Sequence, residues 1–88
     1  MNEFIVIKVL TSPTYPYCPQ AIRMVKEIAN KDPNIIAIEL SVTTPQGYNE
    51  AVKFGISGVP AIIINDRRVI HGLPSYEALL EEINLLRR

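Results

Sequence analysis

Two side chains of the 88-residue sequence offer a thiol or an imidazole, Cys18 and His71. A thiol close to a helix N-terminus can act as a nucleophile in disulfide exchange. One cysteine cannot form an intrachain disulfide, which argues against a disulfide-stapled secreted fold. One cysteine and one histidine are also too few ligands for a structural zinc site. We therefore expect neither a metal nor another cofactor in this chain.

The charge balance and the length of the apolar segments restrict the partners. Nine basic and nine acidic side chains give a formal net charge of zero. A surface for nucleic acid or for an anionic membrane needs a basic excess, so we expect neither partner. The N-terminal apolar run is too short for a signal peptide, and no apolar stretch reaches the ~20 residues of a membrane span. We expect one cytoplasmic domain over 1–88, because two cores do not fit in so short a chain.

Hydrophobic periodicity predicts the element order β-α-β-α-β-β-α. The predicted strands are Phe4–Leu10, Ile35–Val42, Ala61–Ile64 and Val69–His71. The first predicted helix carries Cys18 in its first turn with Pro16 and Pro19, and the next two helices are capped by Thr44 and Ser75. The sequence thus predicts an α/β fold with a four-stranded mixed sheet and helices on both faces.

Two of these elements carry a specific expectation about burial. The strand after Ile35 alternates, and its more apolar face, which contains Ile36 and Ile38, is expected to be covered. The helix capped by Thr44 is expected to bury Tyr48, Ala51 and Val52. Gly47 within that helix is expected to cost about 1 kcal/mol relative to alanine.

A four-residue motif, Tyr15-Pro16-Tyr17-Cys18, lies at the first strand-to-helix turn, and Gly58-Val59-Pro60 precedes the third strand. Together, in this order and spacing, they resemble the thioredoxin/glutaredoxin superfamily, above all its small archaeal-type glutaredoxin-like thioredoxins. The resemblance covers essentially the whole chain and implies the thioredoxin fold. The segment is similar to the family's C-P-Y-C turn in everything except its first cysteine.

The resemblance implies thiol–disulfide oxidoreductase chemistry with one departure. In the family the first cysteine attacks a substrate disulfide and the second resolves the mixed disulfide. Here Tyr15 occupies the position of the nucleophile and Cys18 that of the resolving cysteine. A phenol is a poor substitute for a thiolate, so the usual dithiol mechanism is predicted to be lost or impaired. Two interpretations of Cys18 stay open, an inert buried side chain or a residual thiol that forms mixed disulfides.

The family's proline, here Pro60, follows a cis peptide bond and faces the active site. The backbone of the residue before it, here Val59, pairs with an extended substrate peptide. The resemblance therefore implies a groove formed by Pro16, Tyr17, Val59 and Pro60, with protein clients and a thioredoxin-type reductase as partners. The alternative function is a redox-inactive binding module that uses this groove.

Tyr15 itself admits two interpretations. It can act as a lid that shields Cys18, or its hydroxyl can stabilise a glutathione thiolate, as in glutathione transferases. The second interpretation is weakened because no lysine precedes the motif and Gly72-Leu73-Pro74-Ser75 does not match the glutathione-binding ending of glutaredoxins. His71, Arg68 and Glu82 are interpreted as solvated surface residues.

Overall fold

The computed structural model describes residues 4–87, and its elements follow the predicted order. They are β1 (Ile5–Thr11), α1 (Cys18–Lys31), β2 (Ile35–Ser41), α2 (Pro45–Lys53), β3 (Ala61–Ile64), β4 (Arg68–His71) and α3 (Tyr76–Leu86). The predicted α/β class and the mixed sheet are confirmed. The strand order is β2-β1-β3-β4, with β1 parallel to β2 and antiparallel to β3.

Helices cover both faces of the sheet, as predicted. On one face, α1 and α3 bury Val25 and Ile83 against Ile7 of the central strand. On the other face, α2 packs Ala51 toward a smaller cluster around Ile63. None of the helices within 4–87 is long and apolar enough to cross a bilayer.

The start of α1 differs from the prediction, which placed both Pro16 and Pro19 in the first turn of the helix. The helix begins at Cys18, with Tyr17 as its N-cap and Pro19 in the first turn. Pro16 lies before the helix, in the turn, and not within it. The missing N–H of Pro19 costs little, because the first N–H groups of a helix have no intrahelical acceptor.

The expected burial of the apolar face of β2 was wrong for half of the strand. Ile36 and Ile38 are 41% and 37% exposed, whereas Ile35 on the opposite face is buried at 6%. Leu40, on the same face as Ile38, packs against the smaller core cluster. The reason is the limited reach of α2, which covers only the end of the sheet near Leu40.

The expected buried side of α2 was wrong for two of its three residues, since only Ala51 packs against a core cluster. Tyr48 and Val52 are 62% and 63% exposed, and Ala51 is half-buried. The buried residue of this helix is Gly47. A Cβ atom built on Gly47 would lie 1.9 Å from the backbone oxygen of Ser41. The glycine predicted to weaken the helix is therefore the point at which α2 approaches the end of β2.

An ion pair changes the interpretation of two residues taken as solvated. The Arg68 Nε atom donates to Oε1 of Glu82 at 2.6 Å, which links β4 to α3. The two residues are 14 positions apart in the chain, and no local pattern predicts the pair. This hydrogen bond lowers the pKa of Glu82 and raises that of Arg68.

A second ionic cluster explains the one charged residue of β1. The Lys8 Nζ atom lies 2.7 Å from Oε1 of Glu50 and 3.0 Å from Oδ1 of Asp66. Lys8 thus joins the central strand to α2 and to the β3–β4 turn. The hydrogen bond to Glu50 is the main reason that the pKa of Lys8 is raised above its ordinary value.

Candidate active site

The turn before α1 is held by backbone hydrogen bonds. The Tyr15 N–H donates to the Ser12 carbonyl at 3.3 Å, and the Cys18 N–H donates to the Tyr15 carbonyl at 3.4 Å. The Ala21 N–H donates to the carbonyl of Tyr17 at 3.2 Å. None of these bonds uses the side chain at position 15, so the turn does not require a cysteine there.

A thiol that takes part in disulfide exchange must be accessible, but here the exposed residue is Tyr15 and the buried residue is Cys18. The Tyr15 side chain, at the position of the family's nucleophile, is 51% exposed, whereas Cys18 is 2% exposed. Cys18 is a free cysteine on the buried side of α1, in line with Ala21 and Val25. The group that faces solvent is a phenol, and the thiol is buried.

The loop that contains Pro60 lies beside this turn. The Val59–Pro60 peptide bond is cis, Pro60 is buried and Val59 is half-buried. The Pro60 carbonyl accepts a hydrogen bond from the Gly72 N–H at 2.9 Å. Within residues 4–87, no hydrogen bond engages the N–H or the C=O of Val59. The backbone of Val59 is thus free to pair with an extended chain.

Tyr15 separates two cavities. The first, about 230 Å³, contains Cys18 on its wall and extends to Glu39 and Ser41 of β2. The second, about 260 Å³, is more apolar and lies between α2 and the loop before Pro60. Its walls are formed by Ser12, Tyr15, Val42, Tyr48, Ala51, Ile56, Ser57, Gly58 and Val59. Ser12 and Tyr15 belong to both cavities.

The two cavities gather some of the sequence-predicted site residues and omit others. Tyr15 and Cys18 share the first cavity, and Tyr15 and Val59 share the second. Pro16 and Tyr17 are exposed and line neither, so their role in substrate binding stays a prediction.

Sequence reasoning missed Glu39 and Tyr48 as cavity residues. Strand alternation places Glu39 on the face of β2 that α1 covers, together with Ala37 and Ser41, and that pattern could have revealed it. Tyr48 was expected in the core, and the structure places it at the rim of the second cavity.

Other polar groups do not join the site. His71 is exposed on β4, the edge strand opposite to β2. Asp32, whose pKa is lowered mainly by a hydrogen bond from Arg87, lies after the C-terminal end of α1. Across residues 4–87, no three His, Cys, Asp or Glu side chains are arranged to hold a metal ion.

Comparison with known proteins agrees with this geometry. Residues 5–84 match the model of a thioredoxin domain family. A probable thioredoxin of Archaeoglobus fulgidus is 46% identical over 83 residues, covering 94% of this chain and 90% of the relative. The thioredoxin of Methanocaldococcus jannaschii is 39% identical over 77 residues, covering 88% of this chain and 89% of the relative.

Solved structures show the same fold at lower identity. A mutant thioredoxin from Halobacterium salinarum superposes with a TM-score of 0.77 at 20% identity, covering 92% of this chain and 73% of the other. An alkylhydroperoxide reductase from Enterococcus faecalis gives a TM-score of 0.80 at 22% identity, and that match covers 89% of this chain and 36% of the longer one. The chain therefore belongs to the archaeal type of the thioredoxin superfamily, whose members are thiol–disulfide oxidoreductases.

Proposed function

We propose that this chain has lost the dithiol reduction that defines its family and has kept the surface on which clients bind. The observation that carries the proposal is the inversion at the motif, where Tyr15 is 51% exposed and Cys18 is 2% exposed. Disulfide exchange needs a thiolate that can align with the sulfur under attack. The Tyr15 phenol cannot form the mixed disulfide, and Cys18 has no second cysteine to complete the exchange.

Restoring the missing thiol tests this proposal. The unmodified chain is expected to give no acceleration of insulin reduction by dithiothreitol. Tyr15→Cys is expected to accelerate it, because the backbone of the turn is already held by its own hydrogen bonds and Cys18 occupies the resolving position. Tyr17→Cys is the matched control, since it makes the same substitution at a 57% exposed tyrosine of the same turn but places the new thiol next to Cys18.

Each outcome of the insulin assay bears on the proposal. Catalysis by the unmodified chain would overturn the proposal, because it would show that a chain with a single cysteine still reduces insulin. A folded Tyr15→Cys variant without activity would show that the turn has lost more than its nucleophile. Equal activity in Tyr17→Cys would show that any exposed thiol in this segment suffices, and that the spacing is irrelevant.

A second function, the binding of an extended polypeptide without chemistry, is supported by the free backbone groups of Val59. An unpaired N–H and C=O beside an apolar cavity match the recognition of a strand, where main-chain hydrogen bonds give affinity and cavities accept side chains. The expected partners of this binding are protein clients with extended segments. A thioredoxin-type reductase and a role in redox homeostasis belong to the thiol–disulfide chemistry of the family, and we expect them only for a chain with a working dithiol. We place the binding of clients in the cytoplasm.

Binding at Val59 can be measured directly by amide resonances. The probe is S-carboxymethylated insulin B chain, an extended polypeptide that carries no thiol. Its addition is expected to shift the Val59 amide, while the amide of Asn34, whose N–H is already bonded to Asp32, serves as the control. Unchanged Val59 resonances at millimolar probe would remove the support for the groove. Insulin reduction by Tyr15→Cys would still stand.

A further inference from the structure

The cavity beside Cys18 lies on the side of the sheet that α1 covers. Its walls come from the first turns of α1 (Cys18, Pro19 and Ile22), from the end of β1 and the turn that follows, and from the edge strand β2. The cavity is therefore separate from the groove at Val59, and Tyr15 lies between the two. A molecule that enters it would reach Cys18 without contacting the Pro60 loop.

Thr11 provides an unused hydrogen-bonding group in this cavity. Its side chain is only 4% exposed, and strand alternation points it toward α1, as it does Ile7 and Val9. Among residues 4–87 the Thr11 hydroxyl forms no hydrogen bond. In the same residues, no side-chain nitrogen or oxygen is both inaccessible to solvent and without a hydrogen-bond partner. The hydroxyl must therefore open onto the cavity that Thr11 lines. A polar group of a molecule that enters the cavity can therefore form a hydrogen bond with the Thr11 hydroxyl.

Glu39 gives this cavity its charge. It is exposed, it is the single charged residue among those that line the cavity, and it forms no ion pair with another residue of 4–87. The N-terminus of α1 opposes this charge, but Pro19 in its first turn has no N–H to offer to an anion. The cavity is thus complementary to a small cation with hydrogen-bonding capacity.

We propose that this cavity is a modification site at which Cys18 reacts with small, positively charged disulfides. The Cys18 thiolate attacks one sulfur of the disulfide R–S–S–R, forming Cys18–S–S–R while the original S–S bond breaks. The second sulfur leaves as R–S⁻ and takes up the proton that the Cys18 thiol released. One thiol and one disulfide are consumed, and one thiol and one mixed disulfide are formed, so the step needs no further oxidant.

The depth of Cys18 makes the site selective by size. A protein disulfide cannot align with a thiol that is only 2% exposed. A small disulfide can enter a cavity of about 230 Å³ and present its sulfur to Cys18. The burial of Cys18 would thereby restrict this thiol to small reagents.

The test compares two probe disulfides by intact-mass spectrometry of the full chain. Cystamine carries an ammonium group on each arm, and 3,3′-dithiodipropionate carries a carboxylate on each arm. The rates in the folded chain are divided by the rates in urea, which removes the intrinsic reactivity of each probe. After this correction, cystamine is expected to modify Cys18 about threefold faster than the anionic probe at low ionic strength, because salt screens the charge of an exposed carboxylate.

Two variants assign the preference to Glu39. Glu39→Gln is expected to bring the corrected rates of the two probes close together. Glu81→Gln is the matched control, because Glu81 is an exposed residue of α3 outside the cavity, and its loss changes the net charge equally. The control is expected to keep the preference of the unmodified chain.

Three results would overturn the proposal. They are the absence of a cystamine adduct on the folded chain, equal corrected rates for both probes, and an unchanged preference in Glu39→Gln. None of them alters the expected insulin reduction by Tyr15→Cys, so the two proposals fail separately.

Discussion

Replacing Gly47 with alanine separates two opposing effects in α2. Intrinsic helix propensity favours alanine over an interior glycine by about 1 kcal/mol. The structure predicts the opposite outcome, because a Cβ atom at this position would lie 1.9 Å from the Ser41 oxygen and 2.5 Å from its carbonyl carbon. Both atoms belong to the backbone of the last residue of β2, so no side-chain rotation can relieve the overlap.

The magnitude follows from what must move. To bring the Cβ contact beyond 3.0 Å, α2 must shift by about 1 Å from the end of β2, loosening the contacts of Ala51 with the smaller core cluster. Overpacking of this kind costs about 1–3 kcal/mol, and here the gain in helix propensity offsets part of it. We expect a net loss near ~1–2 kcal/mol, which lowers Tm by roughly 5–15 °C in a domain of this size.

Urea denaturation followed by far-ultraviolet circular dichroism measures this loss. Gly58→Ala is the matched control, because a Cβ atom at Gly58 meets no atom within 4 Å. That control is expected to change the free energy of unfolding by about 1 kcal/mol or less. A Gly47→Ala variant at least as stable as the unmodified chain would refute the close approach of α2 to β2.

Two further predictions concern the ionic links. Lys8→Met is expected to destabilise the fold by about 1–2 kcal/mol, since it leaves the half-buried Glu50 without its main partner, and a double-mutant cycle with Glu50→Gln should show coupling between the two residues. No coupling in that cycle would contradict the structure. Arg68 lowers the pKa of Glu82 below its ordinary value of 4.5, so the stability that this pair contributes is present above that value and lost as pH falls through the lowered folded-state pKa. The unmodified chain should therefore exceed Glu82→Gln in urea midpoint at about pH 7, and this difference should shrink as the pH is lowered toward about pH 3. A constant difference would argue against the pair.

Elements with local signals were predictable from the sequence. Thr44 and Ser75 accept hydrogen bonds from the N–H groups of Gly47 and Ala78, as expected of N-caps. Asn65 and Asp66, residue types that favour turns, both have positive φ, the conformation that a type I′ hairpin turn requires. Such signals depend on neighbours in the chain, so one sequence is enough to interpret them.

The wrong expectations share a different cause. Periodicity identifies which residues of β2 or α2 lie on one face, but it does not give the distance to the element that covers that face. Ile38 is exposed because α2 ends its coverage near Leu40, and Tyr48 is exposed because α2 approaches the sheet through Gly47. Glu39 escaped notice for the same reason, since its importance comes from a cavity formed by three separate elements.

The position of Tyr15 explains how the family's chemistry can be absent while its fold is intact. Tyr15 belongs to neither core cluster, and its side chain takes no part in the backbone bonds that hold the turn. Cys18, in contrast, is buried at the first turn of α1. A side chain at position 15 can therefore change at little cost to folding, whereas position 18 lies on the buried side of α1. The motif thus has a cysteine at its buried position and a tyrosine at its exposed position, which is the reason to expect that a single substitution, Tyr15→Cys, restores the reaction.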